Sequence, residues 1–307
     1  MTDLKQLVDD TYAEGFRSIY GEVLVTARDR KWLQHCVNAA TGHASSTIMC
    51  DCEAGVSQWI DEEQAVAGGT PDGRIGAVLQ FHVPRFLKNR RKQLEKVMLA
   101  RISQNVLTCP TARCFNQLDT EDYFKLGRKV ALFGDRHQFR DVRYEQKGWV
   151  VPILGGEFFL SRRFGFRDGV MGGNLWFFGA DETTALDAAE RAAEAAEKTP
   201  DSVTTFPGGV AGSGSKAGSS YDFLIAATYA EYCPTLKDKL GDKSKVPDGV
   251  SSIMEIIING RDLNALQNAT RNAIHAAAET PGLIKISAGN YGGRLGKTFV
   301  HLHELLD

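Results

Sequence analysis

An α+β fold written twice is what this sequence predicts, and three correspondences between its halves predict it. Residues 21–33, GEVLVTARDRKWL, are echoed at 173–186 by GNLWFFGADETTAL. Each is a β-branched and aromatic run that reaches Ala-x-Asp or Ala-Asp and opens a helix. Roughly the same interval separates TIMCDCEAGV (47–56) from TTFPGGVAGS (204–213). Likewise GAVLQFHV and the helix KNRRKQLEKVMLARISQNVL match SSIMEIIING and the helix LNALQNATRNAIHAAAE. Each half reads strand–helix–strand, then strand–helix–strand. With antiparallel neighbours that is a ferredoxin-like βαββαβ lobe, an α/β sandwich, here duplicated. The expected division is 1–155 for the N-terminal lobe and 156–307 for the C-terminal one, with ligands sought in clefts.

The elements follow in order. TDLKQLVDDTYAEGF is a short helix or extended lead-in, and IYGEVLVTA (19–27) is β-rich. KWLQHCVNAATG has helical spacing closed by Gly42 as a C′ residue. SSTIMCDC reads as the second strand, AVAGGTPDGR as a glycine-rich loop and AVLQFHV as the third strand. A long basic helix covers 87–106, and KVALFGD (129–135) reads as a further strand. KGWVVPILGGEFFLSRRFGF suggests extra strands between the halves. In the second half, TALDAAERAAEAAEK is an Ala-rich helix with Thr183 or Thr184 as N-cap. SVTTF is a strand, PGGVAGSGSKAGSS a loop, SSIMEIIIN a strand and LNALQNATRNAIHAAAE a helix. ISAGNYGGRLGKTFVHLHEL closes the fold.

Composition narrows the classes. The 307 residues are 43% hydrophobic and 24% charged, with 31 glycines, 9 prolines and a net charge of −2. No global basic field argues for nucleic acid. No apolar run approaches the ~18 residues of a membrane span, and MTDLKQLVDD is polar, unlike a signal peptide. The six cysteines (36, 50, 52, 109, 114 and 233) lack compact disulfide spacing, which suits a reducing cytoplasm.

Glu255 is the first candidate for chemistry. It lies inside SSIMEIIIN, where alternation puts Ile253, Glu255, Ile257 and Asn259 on one face. A carboxyl in such a run is desolvated, which favours the neutral acid. A neutral acid can donate to a developing oxyanion or protonate a leaving amine. The plain alternative is a structural glutamate paired with an arginine or facing solvent. The loop FPGGVAGSGSKAGSS (206–220) lacks phosphate-loop spacing. Its glycines suit close approach to a flat ligand or another subunit, as do Asn290, Tyr291 and the glycines after them. Cys50-x-Cys52 and Cys109-x4-Cys114 do not match zinc spacing. His301-x-His303 has no acid partners behind it, so a packing role outweighs a metal site. The helix at 88–101 sets Lys88, Arg90, Arg91, Lys92, Lys96 and Arg101 against Glu95, a local positive patch or a solvated face. SRRFGFR (161–167) is a smaller cluster.

Ten stretches, in order, are shared with one family: SSTIMCDCEAGV, TPDGRIG, SQNVLTCPTARCF, ALFGD, VPILGGEFFL, FGFRDGVMGGN, FPGGVAGSGSKAGSSYDFL, YCPT, EIIINGRD and KISAGNYGGRLGKTFVHLHEL. From residue 11 onward the chain resembles formylmethanofuran–tetrahydromethanopterin formyltransferases. The resemblance implies a duplicated ferredoxin-like fold and an N-formyltransferase with no permanently bound cofactor. Its co-substrates would be tetrahydromethanopterin, or the dephospho form, and methanofuran or methylofuran. The formyl group would pass between N5 of the pterin and the carrier amine by direct attack, with no acyl-enzyme. The family glutamate maps onto Glu255. Phe206, Pro207, Gly208, Gly209, Ser213 and Lys216, with Asn290 and Tyr291, become the candidate substrate contacts.

The near-neutral charge, and RFLKNRRKQLEK where archaeal members are acidic, make the chain resemble the bacterial branch. That branch includes the D subunit of the formyltransferase/hydrolase complex of methylotrophs, which serves formaldehyde oxidation. Implied partners are that complex's other subunits and copies of this chain, as a dimer of dimers with clefts at subunit interfaces. The implied carrier has a polyglutamate tail, which makes Arg90, Arg91 and Lys92 candidate contacts and Arg162 and Arg163 a second set. A docking surface for another subunit competes for the same helix. A non-catalytic scaffold in the complex, or a metal-dependent hydrolase using His301 and His303, are the alternative functions.

Overall fold

The computed structural model describes residues 4–294 and 296–306. Residues 1–3 of the expected N-terminal lobe, Leu295 of the last shared motif and Asp307 lie outside the described residues. The chain packs as two compact units, Ser18–Gly169 and Met1–Arg17 with Val170–Asp307.

In the first unit, the second part of strand β1 (Tyr12–Thr26) leads into helix α1 (Arg30–Thr41). Asp29 caps that helix by accepting the Trp32 N–H, and Leu33, Cys36, Val37 and Ala40 form its buried stripe. Strands β2 (Glu53–Ile60) and β3 (Gly76–Pro84), helix α2 (Arg90–Arg101) and strand β4 (Arg113–Asn116) complete the lobe. All pairings are antiparallel, in the order β2-β3-β1-β4. That is the ferredoxin-like order. Strands β5 (Phe139–Arg143), β6 (Gln146–Ile153) and β7 (Gly156–Ser161) extend the sheet, with β7 parallel to β4. Because β7 is tied to β4 and β6, the compact unit continues past residue 155.

The second unit repeats the plan. Strand β8 (Phe164–Gly179) feeds helix α3 (Glu182–Glu197), then strands β9 (Ser202–Thr204) and β10 (Ser252–Gly260). Helix α4 (Leu263–Ala278) and strand β11 (Leu283–Ser287) follow. The order β9-β10-β8-β11 is again antiparallel throughout. Strand β12 (Thr298–His301) pairs with Tyr12–Gly15 of β1, and Val8 bridges Ile286. Those contacts draw the first residues of the chain into this unit. Every buried residue of α3 is an alanine, and that face packs against α4 and β10. The helices cover one face of the sheet, and the long connection between β9 and β10 supplies cover for the other.

Several local expectations are corrected. SSTIMCDC is a turn, not a strand. The Ser46 carbonyl accepts from the N–H groups of Met49 and Cys50, and Asp51 is held by Arg101, so β2 starts only at Glu53. KVALFGD lies mostly in a short helix, Leu126–Ala131, and the turn after it. Its buried Leu126, Val130 and Ala131 have helical spacing, and Lys129 pairs with Glu95 at 2.7 Å. Gly42 is not left-handed (φ −58), and His43 (φ 50) takes that conformation instead. The α3 cap is Asp181, whose carboxylate accepts the Thr184 N–H, rather than either threonine. Among the described residues no helix is long and apolar enough to cross a membrane.

The first unit buries a polar chain on its sheet. The Ser18 hydroxyl lies 3.0 Å from His82 Nδ1, and His82 Nε2 lies 3.0 Å from Gln80 Oε1. Gln80 Nε2 then donates to Glu22 at 2.9 Å. Tyr20 stacks on the imidazole with centroids 5.0 Å apart. Burial pushes the His82 pKa down from 6.5 to about 3, so the ring stays neutral in the folded state. In the unfolded chain it takes up a proton below 6.5, so its contribution is complete above that pH and is lost as pH falls toward about 3. The expected slope from this residue is about 1.4 kcal/mol per pH unit. Denaturant titrations at several pH values between 6.5 and 4 should show His82→Leu losing less stability on acidification than the parent. Equal slopes would refute the assignment.

Candidate active site

The site grows from one register. In the antiparallel pair β10–β8, Glu255 stands opposite Trp176. Ile256 and Ile258 of β10 enter the helix-facing core, while Ile253 and Trp176 belong to the opposite face. Glu255, only 7% exposed, shares that second face with Asn174 and Trp176. Asn174 Nδ2 and Trp176 Nε1 both donate to Glu255 Oε1, each at 2.9 Å. Asn174 is fixed in turn, because its Oδ1 accepts the Gly289 N–H at 3.0 Å. A Cβ on Gly289 would come within 2.6 Å of Asn174 Nδ2 and 2.7 Å of the indole. Glycine is required there by close approach, since its φ is not left-handed.

Burial raises the Glu255 pKa, and the two donors offset this only in part. Among the described residues, no lysine or arginine lines the pocket over the carboxyl. That pocket has a volume of about 180 Å³ and is roofed by the connection between β9 and β10. Its aromatic wall is edge-to-face: Trp176 lies 4.8 Å from Tyr232 and 5.4 Å from Tyr229, centroid to centroid. Ser213, Cys233 and Met254 add a small, soft rim. Tyr291 donates its hydroxyl to the Ser215 carbonyl. Burial, then the nearby Glu255, push its pKa up to about 12, so it remains a phenol.

The sequence-derived candidates separate on the structure. Ser213 lines the pocket beside Glu255, and Tyr291 is electrostatically coupled to it. Phe206, Pro207, Gly208 and Gly209 form a tight turn outside the pocket lining, and Gly209 sits close to Thr204 and Ala193 of α3. Lys216 pairs with Ala227 in a short hairpin. Asn290 donates to Thr11, and the N–H groups of Tyr291, Gly293 and Gly296 all donate to the buried carboxylate of Glu14. This last glycine loop is organised around an internal anion. Asn174, Trp176, Tyr229 and Tyr232 belong to the candidate site and were missed by pattern reading. The available signal was Asn174 alternating with Trp176 and Phe178 in NLWFF, on the strand neighbouring Glu255.

Arg90, Arg91 and Lys92 belong to α2 in the other unit. Arg91 pairs with Asp122 at 2.8 Å and lies over the Phe166 ring at 4.8 Å. Arg101 is not part of the patch: it is 7% exposed and donates to the carbonyls of Ala40 and Gly42 and to Asp51. Lys88, Lys92 and Lys96 are exposed and make no ion pair among the described residues. Arg162 and Arg163 line an open cavity of about 720 Å³ in the same unit. His303 donates its Nε2–H to the Val8 carbonyl at 2.8 Å. The His301 ring lies beside Tyr12. Among the described residues no group of three His, Cys, Asp or Glu is arranged to hold a metal ion.

A duplicated ferredoxin-like chain with a desolvated acid in an aromatic pocket is equipped for acid-assisted group transfer. Family models assign it more closely. The model described as formylmethanofuran–tetrahydromethanopterin formyltransferase matches residues 3–153, and that of the formyltransferase proximal lobe matches 156–305. The chain belongs to this formyltransferase family and is an N-formyltransferase. It is 39% identical over 305 residues to the formylmethanofuran–tetrahydromethanopterin formyltransferase of Methanocaldococcus jannaschii, covering 98% of both. The Methanosarcina acetivorans enzyme is 41% identical over 300 residues, covering 97% of each. Among solved structures, the Methanosarcina barkeri formyltransferase superposes with a TM-score of 0.92 at 38% identity, covering 100% of both chains. A chain of the formyltransferase/hydrolase complex from Methylorubrum extorquens, solved with methylofuran, superposes at 0.90 with 34% identity. It covers 100% of this chain and 99% of that one. The family models part between 153 and 156, near the boundary read from the sequence, whereas compact packing parts the chain at 17/18 and 169/170.

Proposed function

We propose that Glu255 is the acid of a direct formyl transfer between N5 of tetrahydromethanopterin and the primary amine of a methanofuran-type carrier. The incoming amine attacks the formyl carbon, a C–N bond forms, and the carbonyl oxygen takes up negative charge. Collapse breaks the bond to the leaving nitrogen, and the proton lost by the attacking amine is balanced by one gained there. A neutral carboxyl serves both stages, first as a hydrogen-bond donor to the oxyanion and then as a proton source. The observation that carries this reading is a carboxyl buried without a cation, facing a pocket. The flux we propose runs from formyl-tetrahydromethanopterin to the furan carrier, in the cytoplasm, with this chain as one subunit of a larger assembly. That reading leans on the likeness to the Methylorubrum complex chain.

Three tests follow from this reading. Glu255→Gln should lower turnover by about 10²-fold, the scale of a lost oxyanion donor, with melting unchanged or raised. Near-normal turnover would sink the role of Glu255. The exposed cations Lys88, Lys92 and Lys96, with the half-buried Arg90 and the partly neutralised Arg91, are proposed to hold an anionic carrier tail. Reversing Arg90, Arg91 and Lys92 to Glu should raise the apparent KM for a long-tailed carrier, in a salt-dependent way, and leave a tail-less analogue unaffected. Normal kinetics with failure to co-purify partner subunits would assign the helix to docking instead. Finally, the active form is proposed to be a homo-oligomer, so activity should fall on dilution. A fully active monomer by light scattering under assay conditions would contradict that.

A further inference from the structure

We infer that Asn174 and Trp176 are positioning residues that reserve Oε1 of Glu255 as a permanent acceptor and leave Oε2 as the oxygen that carries the transferable proton. The inference rests on the reading of Glu255 as the acid, and goes beyond it by naming the atom and the residues that select it.

A neutral carboxyl has one carbonyl oxygen, which accepts, and one hydroxyl oxygen, which donates. An indole N–H can only donate, so the Trp176 contact requires an acceptor lone pair on Oε1. The side-chain amide of Asn174 has two possible orientations, and the Gly289 N–H decides between them. That N–H must meet Oδ1, which turns the NH₂ group toward Glu255. Two donors therefore converge on Oε1, and a proton on that oxygen would point into one of them. Neither Asn174 nor Trp176 bonds Oε2, and Glu255 makes no other hydrogen bond among the described residues. Oε2 is also absent from the few buried side-chain atoms without a partner, which leaves it open toward the pocket.

The arrangement suits both protonation states. Both donors remain satisfied when Oε2 loses its proton, so the carboxyl need not rotate during a turnover. The other titratable groups around the pocket are the phenols of Tyr229, Tyr232 and Tyr291 and the thiol of Cys233. The Lys245 ammonium lies over the Tyr232 ring, outside the pocket lining, and is paired with Glu231. The fold itself does not require the constellation. In the duplicated lobe, Leu24 precedes the cap Asp29 by the same interval as Trp176 precedes Asp181, and it stands opposite Val78. The position of Asn174 is there taken by Glu22, bonded to Gln80. One copy carries the acid and its two donors, and the other carries none of the three.

The test uses the full chain with Trp176→Phe, which keeps an aromatic ring and removes the N–H, and Asn174→Ala as a second route. Turnover in Trp176→Phe should fall about tenfold, the scale of one lost hydrogen bond, with a smaller change in KM. The alkaline limb of the pH–turnover profile should move upward, because a donor that favours the carboxylate has gone. In infrared difference spectra, the protonated-carboxyl C=O band, assigned by its loss in Glu255→Gln, should shift to higher frequency in both variants. A uniform fall in activity and melting temperature, with limb and band unmoved, would reduce both residues to structural roles and overturn the inference. Wild-type kinetics and band position in Trp176→Phe, with Glu255→Gln inactive, would also overturn it while sparing Glu255 as the acid. If Glu255→Gln instead remains active, the acid reading fails, and the inference of a transferable proton fails with it; the band shift would then report the hydrogen bonds alone.

Discussion

The candidate site depends on keeping a carboxyl buried beside neutral donors, with no lysine or arginine in the pocket lining among the described residues. A lysine or arginine in the pocket would favour the carboxylate and remove the proton on which the proposed role of Glu255 depends. Two neutral donors do something narrower. They satisfy one oxygen, so burial is tolerable, yet they do not cancel the cost of ionisation. Burial acts likewise on Tyr232 and Tyr291, pushing both phenols up and so favouring their neutral forms. Acid strength here is set by what is left out of the pocket as much as by what is present.

The one-sided lobe explains where such a pocket can form. In each unit the helices bury one face of an antiparallel sheet, and the opposite face needs separate cover. The first unit packs Leu24, Val78, Phe115, Val150 and Phe159 together there. The second lays the connection between β9 and β10 over Trp176 and Phe178, with Tyr229, Tyr232, Val246 and Val250 as its contacts. Cover by an irregular segment is looser than cover by a helix, and the gap left under it is the pocket. Burial acts in the same sense on one titratable group in each lobe. His82 is held neutral in one and Glu255 is driven toward the neutral form in the other.

Much of this was legible in the residues. The repeat read from strand–helix boundaries returns as two identical strand orders, because alternation and helical spacing report which face each residue buries. Glu255 was legible for the same reason: a charge inside SIMEIIING conflicts with the pattern around it. SSTIMCDC and KVALFGD were misread because a short apolar run does not reveal whether its backbone pairs with a strand, turns on itself or coils. Asp51 and Glu53, which tie down the first of these, act through partners remote in the chain or through a turn. Asn174 and Trp176 were hard to see because their importance lies in a register across strands. The glycines at 208–209 and after Asn290 were read as room for a flat ligand or another subunit; in the fold Gly209 lies against Thr204 and Ala193, and the N–H groups of Gly293 and Gly296 meet the carboxylate of Glu14.

The alanine face of α3 has a consequence of its own. Ala185, Ala188, Ala189, Ala192, Ala193 and Ala196 have no rotamers to freeze, so the helix docks at little side-chain entropy cost. They also leave almost nothing to trim. A leucine core can drift by losing a methyl group here and gaining one there, whereas a methyl-only surface can change mainly by growing, and growth overpacks. Variation behind the sheet is thus confined to one direction. The layer beneath Glu255 is a surface that evolution can scarcely file down or build up, and the freedom to retune the site lies in the irregular cover above it.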